Sequence, residues 1–128
     1  MKLAVLSDIH SNLIALNLAI NDIKKENVDQ IYFLGYYVTD EGNDNEVLSL
    51  FKNISYYVIL GNREKYMLEY SPLKKDYNNY KTIYTSYNNL SDESLKYIKS
   101  LKQYDIIKVG DFNVLMIHGT QYYSDKRI

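Results

Sequence analysis

Two side chains that could bind a metal ion follow the first apolar run of the sequence. Asp8 and His10 are separated by one residue and come after residues 3–7, a run that predicts a short buried strand. Side chains two residues apart on an extended chain point the same way, so the carboxylate and the imidazole are expected together. Such a pair suits a hard or borderline divalent cation. The same residues also fit a capped helix start, because Asp, Ser and Asn are frequent N-caps.

Three further apolar runs end in polar residues of the same kind. They are Phe33-Leu-Gly-Tyr36, Val58-Ile-Leu-Gly-Asn-Arg-Glu64 and Leu115-Met-Ile-His-Gly119. Ligands of open α/β sheets bind at the carboxyl ends of the strands. We therefore expect Asp8, His10, Asn62 and His118 to meet at one end of a sheet, although they come from distant stretches of the chain.

The residues between these runs predict the elements that position the polar ends. Apolar spacings of three and four predict a helix over 12–25, and Ser91 is a typical N-cap for a later helix. The other predicted elements are strands 30–34 and 56–60, helices 46–52 and 64–69, and a hairpin of 105–109 with 112–117 around Gly110-Asp111. Residues 74–87 show no clear period and predict a helical or irregular cap. The β-α-β-α-β start predicts an α/β fold with parallel strands.

Bulk properties exclude several classes of protein. At 128 residues the chain has the length of a single domain, 1–128, and its net charge of −1 gives no field that would attract nucleic acid or an anionic membrane. It contains no cysteine, so disulfides and thiolate chemistry are excluded. We see no signal segment and no apolar run of membrane-spanning length, and we expect a cytoplasmic protein.

The four motifs, in this order along the whole chain, resemble those of the calcineurin-like metallophosphoesterase family, in its small bacterial and archaeal phosphodiesterase-type members. The pattern of that family is Asp-x-His, Gly-Asp, Gly-Asn-His-Asp/Glu, His-Gly and a late Gly-His-x-His. The resemblance implies β-sheet layers flanked by helices, and hydrolysis of phosphomonoesters or phosphodiesters by two divalent metals. It implies Asp8 and His10 as ligands of the first metal, and Asn62 and His118 as ligands of the second. Manganese, iron and zinc all suit such a set.

The chain departs from this pattern at Tyr36, which stands where the family has an aspartate that bridges the two metals. A phenol, with an ordinary pKa near 10, replaces that carboxylate poorly. We interpret Tyr36 as an ordinary aromatic cap on a strand end. Asp40 is the nearest other carboxylate, but it lies four residues further on in a loop, and we expect that it does not reach the site.

A second departure is Arg63, where the family often has a histidine that protonates the leaving group. Arginine stays charged and cannot act as a general acid at neutral pH. Arg63 could hold a phosphate through paired hydrogen bonds, or it could be a surface side chain paired with Glu64 or Asp40. Glu64 occupies the family's acidic position, and we expect it to pair with a basic neighbour.

The third departure is that no Gly-His-x-His follows His118-Gly119, so each implied metal keeps two protein ligands. A catalytic metal normally has about three protein ligands and an open position. The family's further strands are missing with that motif, which would leave strand 112–117 as an apolar edge in an incomplete second sheet. Because such edges recruit other strands, we expect a homo-oligomer or a second polypeptide that supplies the missing strands.

Four interpretations of function remain open from the sequence. The chain could be a metal-dependent phosphoesterase that acts, with impaired activity, on a phosphorylated small molecule. It could be a non-catalytic binding or assembly module with the same fold. It could be a truncated product of a once-active gene, although Tyr36 lies inside the retained part. A doubly wound nucleotide-binding protein is a distant fourth, since no Gly-x-Gly-x-x-Gly follows the first strand.

Overall fold

The computed structural model describes residues 1–54, 57–70 and 81–119. The strands are β1 (Leu3–Leu6), β2 (Gln30–Phe33), β3 (Tyr57–Val58), β4 (Tyr104–Val109) and β5 (Phe112–Ile117). The helices are α1 (Leu13–Lys25), α2 (Asp44–Ile54), α3 (Asn62–Tyr70), α4 (Lys81–Asn89) and α5 (Asp92–Ser100). The predicted α/β class is confirmed, and so is the β-α-β-α-β order at the start.

The strands form two sheets. β1, β2 and β3 pair in parallel in that order, with Leu6 opposite Phe33 and Phe33 opposite Val58. β4 and β5 pair antiparallel, with Val109 opposite Phe112 across the turn at Gly110 and Asp111. The predicted hairpin and its turn are therefore confirmed. The carboxyl ends of the three parallel strands lie at one end of the molecule, together with the end of β5.

The two faces of the parallel sheet are covered by different elements. Because side chains alternate along a strand, Phe33 and Tyr32 point to opposite faces of β2. The completely buried Phe33 belongs to the main core, where its ring lies 4.0 Å from that of Phe51 of α2. Tyr32 belongs to a smaller cluster with Ile107 and Met116 of the hairpin. Helices therefore cover one face and the hairpin covers the other.

Capping residues set the helix ends close to where the sequence placed them. Asn12 caps α1 by accepting a hydrogen bond from the backbone N–H of Ala15, and Asn27 follows the helix with a left-handed φ of 51°. Ser91 caps α5 by accepting from the N–H of Ser94. α2 begins two residues earlier than predicted, at Asp44, and β3 is shorter than predicted. Of the predicted cap 74–87, residues 74–80 lie outside the described part and 81–87 are helical.

Within residues 1–54, 57–70 and 81–119, none of the helices combines the length and the apolar character needed to cross a bilayer.

Candidate functional site

Two glycines let the loops after β2 and β3 touch. A Cβ on Gly35 would lie 2.5 Å from the Cα of Gly61, and a Cβ on Gly61 would lie 2.3 Å from the backbone nitrogen of Tyr36. Gly35 also has a φ of +103°, which side-chain-bearing residues rarely adopt. The Nδ1 of His118 would be 2.9 Å from the same Gly35 Cβ. This contact brings the ends of β2, β3 and β5 together.

The loop after β1 is fastened to the loop after β2 by backbone hydrogen bonds. The N–H groups of Asp8, His10 and Ser11 donate to the carbonyls of residues 35, 36 and 37 at 3.0, 3.1 and 2.8 Å. Our prediction that Asp8 and His10 lie on extended chain is wrong, because β1 ends at Leu6 and both residues have left-handed φ values of 56° and 55°. The turn still lets the side chains face each other, with His10 Nε2 4.0 Å from Asp8 Oδ1.

Glu64 lies beneath these loops and is completely buried. Its carboxylate accepts hydrogen bonds from four backbone N–H groups, at Gly61, Tyr36, Tyr37 and Val38, over 2.6–3.2 Å. Burial raises the pKa of Glu64, and these backbone donors lower it in part. The prediction that Glu64 pairs with a basic neighbour is wrong, because four orphan N–H groups of two loops already surround it. Glu64 instead fixes the loop after β2 to the start of α3.

Tyr37 supports the same loops from the core, and sequence reasoning gave it no role. Its hydroxyl lies 2.8 Å from the Phe33 carbonyl and 2.6 Å from that of Ile59, and it accepts from the N–H of Gly35. Burial, followed by the charge of Glu64, raises the pKa of Tyr37 well above its usual value. A tyrosine among many in this sequence carries no signal that would single it out.

Tyr36 is part of the site rather than an ordinary strand cap. Its ring stacks on that of His10, with centroids 3.8 Å apart and planes 16° from parallel, and the guanidinium carbon of Arg63 lies 5.1 Å from its centroid. Burial raises the pKa of the Tyr36 hydroxyl, Arg63 lowers it and Asp40 raises it. Tyr36 therefore stays a neutral phenol at physiological pH, and its ring fills space beside the imidazole.

Asp40 reaches the site, and our prediction that it does not is wrong. Its Oδ2 lies 2.9 Å from His10 Nδ1 and accepts from the Tyr36 hydroxyl at 3.2 Å. The loop turns back because Thr39 and Asp40 have left-handed φ values of 78° and 72°. Asp44 holds this turn by accepting from the Thr39 N–H and from the Ser11 hydroxyl. A chain reversal of this kind cannot be inferred from residue spacing.

Asn62 and His118 lie next to the glycine contact. The side-chain oxygen of Asn62 is buried and has no hydrogen-bond partner among the described residues. His118 Nδ1 lies 2.7 Å from the carbonyl of Leu34. A carbonyl oxygen only accepts, so Nδ1 carries the proton and Nε2 keeps the lone pair of the neutral ring. Both residues therefore present an atom that could bind a cation.

The described part of the chain offers several donor atoms for a cation, but they are not gathered into a metal centre. The Asp8 carboxylate and the His10 imidazole are suitable donors, and so are the unpartnered oxygen of Asn62 and the imidazole of His118. The residue that the resemblance assigns to the bridging position is Tyr36, whose stacked ring supplies no charge. Among the residues that the structure describes, no three His, Asp or Glu side chains are arranged to hold a metal ion. A carboxylate-bridged centre therefore does not fit the residues that the structure describes.

Asp8 and His10 border a cleft of about 510 Å³. Asp8, His10 and Glu41 line its polar end, and Ala15 and Ala19 of α1 line its apolar side. Asp8 and His10 are therefore accessible to a small ligand, whereas Glu64 is not.

The family model for calcineurin-like phosphoesterases matches residues 1–127. The chain therefore belongs to this family, as the motifs implied, and the family uses divalent metal ions.

A relative shares part of the sequence of this chain, and solved structures share its fold. An uncharacterized protein of Methanocaldococcus jannaschii is 37% identical over 102 residues, which are 77% of this chain and 41% of that protein. A metallophosphoesterase from Sphaerobacter thermophilus superimposes with a TM-score of 0.76 and 25% identity, covering 100% of this chain and 51% of that one. A hypothetical protein from Pyrococcus horikoshii has a TM-score of 0.75 at 22% identity, covering 98% of this chain and 58% of that one. The chain thus spans about half the length of these proteins.

Proposed function

We propose that this chain is a metallophosphoesterase domain with impaired hydrolysis, which binds a divalent cation weakly and accepts a phosphorylated small molecule. The observation that carries the proposal is Tyr36. It stands at the family's bridging position and stacks on His10 at 3.8 Å. Two cations about 4 Å apart repel each other, and a bridging carboxylate offsets this repulsion whereas a neutral phenol does not.

Arg63 supports phosphate binding without general acid catalysis. Its guanidinium lies over the Tyr36 ring, 5.1 Å from the centroid, and does not pair with Glu64, whose carboxylate is taken by backbone donors. A planar guanidinium can grip two phosphate oxygens at once. It keeps its proton at neutral pH, so protonation of the leaving group has no donor at this position.

The proposal is tested by hydrolysis of an aryl phosphate monoester and an aryl phosphate diester with added Mn²⁺. We expect turnover well below about 1 per second, the lower end of ordinary enzyme rates. Turnover at or above that rate by the unmodified chain would contradict the proposal.

Tyr36→Asp examines the cause of the impairment. We expect it to raise Mn²⁺ affinity about tenfold or more in calorimetry, because it returns the negative charge between the donors. Tyr36→Asn is the matched control, since it opens the same space without the charge. Equal affinities of the two variants would mean that the missing carboxylate is not the cause.

A second candidate function, assembly, is favoured by the outer face of the hairpin. Tyr104, Ile106 and Leu115 point away from the core and are 60%, 65% and 48% exposed, and Ile106 and Leu115 are paired across the strands. We propose that a second copy of the chain covers this face, since two-fold dimers are the commonest closed assemblies. The relatives contain about twice as many residues, so covering by residues of a longer chain is the competing outcome.

Sedimentation at micromolar concentration tests the dimer, with Ile106→Glu as the disruptive variant. We expect the unmodified chain to be dimeric and Ile106→Glu monomeric, because the charge would be buried in the interface. Val5→Glu, at an exposed apolar residue on the edge of the other sheet, should remain dimeric. A folded monomer of the unmodified chain would contradict the dimer.

A further inference from the structure

We propose that Asp40 is a positioning residue that fixes His10 in the tautomer with the proton on Nδ1, so that the Nε2 lone pair faces Asp8. The inference rests on the proposed function only where it assigns the pair Asp8 and His10 to a divalent cation. The tautomer itself does not depend on whether a cation binds or a phosphoester is hydrolysed.

The hydrogen bond of Asp40 determines where the proton of the neutral imidazole lies. A carboxylate oxygen only accepts, so the Nδ1 at 2.9 Å from Asp40 Oδ2 is the protonated nitrogen. Nε2 is then an acceptor, and it lies 4.0 Å from Asp8 Oδ1, too far for a hydrogen bond. Two electron-pair donors therefore face each other across a gap. A divalent cation is the chemical class that this gap fits, because metal-binding histidines usually donate their other N–H to a carboxylate or carbonyl.

The stacked phenol holds the same imidazole from its face. The Tyr36 ring lies 3.8 Å from the His10 ring, and the Tyr36 hydroxyl donates to Asp40 Oδ2, the oxygen that also contacts Nδ1. The ring is therefore constrained at one edge by Asp40 and over one face by Tyr36. Since both contacts meet at a single oxygen, the Tyr36 hydroxyl also helps to hold the Asp40 carboxylate beside His10.

The backbone conformation of Thr39 and Asp40 places the Asp40 carboxylate beside His10. Thr39 and Asp40 both have φ values in the left-handed region, which is unfavourable for a β-branched residue such as threonine. The buried Asp44 accepts from the Thr39 N–H at 2.8 Å and so fixes the residue before Asp40. Non-glycine residues persist in this conformation where surrounding contacts determine it, and such positions cluster at functional sites. An ordinary surface loop would not require it.

The imidazole ¹⁵N resonances of the metal-free chain measure the tautomer directly. At about pH 8, where an ordinary imidazole is neutral, we expect a protonated-type shift for His10 Nδ1 and an unprotonated-type shift for Nε2. Asp40→Ala should move population to the tautomer protonated on Nε2. Asp40→Asn should retain the native tautomer, because its amide oxygen still accepts a hydrogen bond. Glu69→Ala, which removes the same charge from an exposed residue outside the cleft, should change nothing.

His118 is the internal reference, because its Nδ1 contacts the carbonyl oxygen of Leu34, which none of these substitutions removes. Its unchanged resonances would show that Asp40→Ala is folded. If His10 carries its proton on Nε2 in the unmodified chain, or if Asp40→Ala leaves the His10 shifts unchanged, the inference is overturned.

Titration with Mn²⁺ connects the tautomer to the cation. We expect Asp40→Ala to weaken binding about 10- to 100-fold, as measured at comparable supporting residues, and Asp40→Asn to restore most of it. A correct tautomer together with no cation binding would refute the proposed function and the assignment of the pair to a cation, and would leave the positioning role. Cation binding with the opposite tautomer would refute the positioning role and leave the proposed function.

Discussion

Glu64 and Asp40 are two carboxylates at the same end of the sheet, and their surroundings are opposite. Glu64 is completely buried and accepts from four backbone N–H groups. The Asp40 side chain is 35% exposed and contacts only side chains, those of His10 and Tyr36, in the described hydrogen bonds. Glu64 holds loops together, whereas Asp40 orients groups that a ligand can reach. We infer that different carboxylates stabilise the loops of this site and orient its ligand-accessible side chains.

The largest expected effect comes from removing the Glu64 carboxylate. Glu64→Ala leaves four buried N–H groups without a partner, and each unsatisfied donor is costly. We expect the free energy of unfolding to fall by about 4 kcal/mol or more, measured by urea denaturation. Glu69→Ala, an exposed residue of the same helix, should change it by about 0.5 kcal/mol or less. Similar losses in both variants would mean that Glu64 does not hold the loops.

Gly61→Ala tests the same contact between the loops by adding a methyl group to it. The added Cβ would lie 2.3 Å from a backbone nitrogen, so the loops must separate, and we expect a loss of about 3 kcal/mol in unfolding free energy. Gly42→Ala is the control, because nothing lies within 4 Å of its Cβ and only its φ of +80° is unfavourable. A smaller loss for Gly61→Ala than for Gly42→Ala would contradict the close contact.

Alkaline unfolding tests the burial of the Tyr37 hydroxyl. The pKa of the buried Tyr37 is raised in the folded state, so the folded chain keeps a proton that the unfolded chain has lost above about pH 10. Stability is therefore fully present below that pH and falls above it, by about 1.4 kcal/mol per pH unit for this group. Denaturant titrations between about pH 8 and pH 11 should show this slope, and Tyr37→Phe should reduce it. An unchanged slope in Tyr37→Phe would assign the loss to other groups.

The smallest expected effect on stability is that of Asp40→Asn. Its contacts are partly exposed, and exposed charge pairs contribute about 0–1 kcal/mol, so the unfolding free energy should change by less than about 1 kcal/mol. Combined with the weakened Mn²⁺ binding expected for Asp40→Ala, this result would sharpen the distinction from Glu64. A loss as large as that of Glu64→Ala would remove the distinction.

Local patterns in the sequence were sufficient for the elements. The apolar spacing of α1, the caps Asn12 and Ser91, and the turn at Gly110 depend on neighbours within a few residues, and the structure confirms them. The four motifs also identified the family, because each lies at the end of an apolar run.

The roles of the side chains at that end were decided by the tertiary structure. Glu64 was expected to pair with a basic side chain. It is instead surrounded by N–H groups of a loop 26–28 residues away. Asp40 was expected to miss the site and contacts His10, 30 residues away, because two left-handed residues reverse the loop.

The physical reason is the range of the interactions involved. Helix periods, caps and turns are local, so the amino-acid sequence by itself determined them. The sequence also determined that position 36 carries no carboxylate. Whether a carboxylate is buried among N–H groups or left beside an imidazole depends on which loops meet. That meeting is set by the contact of Gly35 with Gly61, which exists only after the strands have paired.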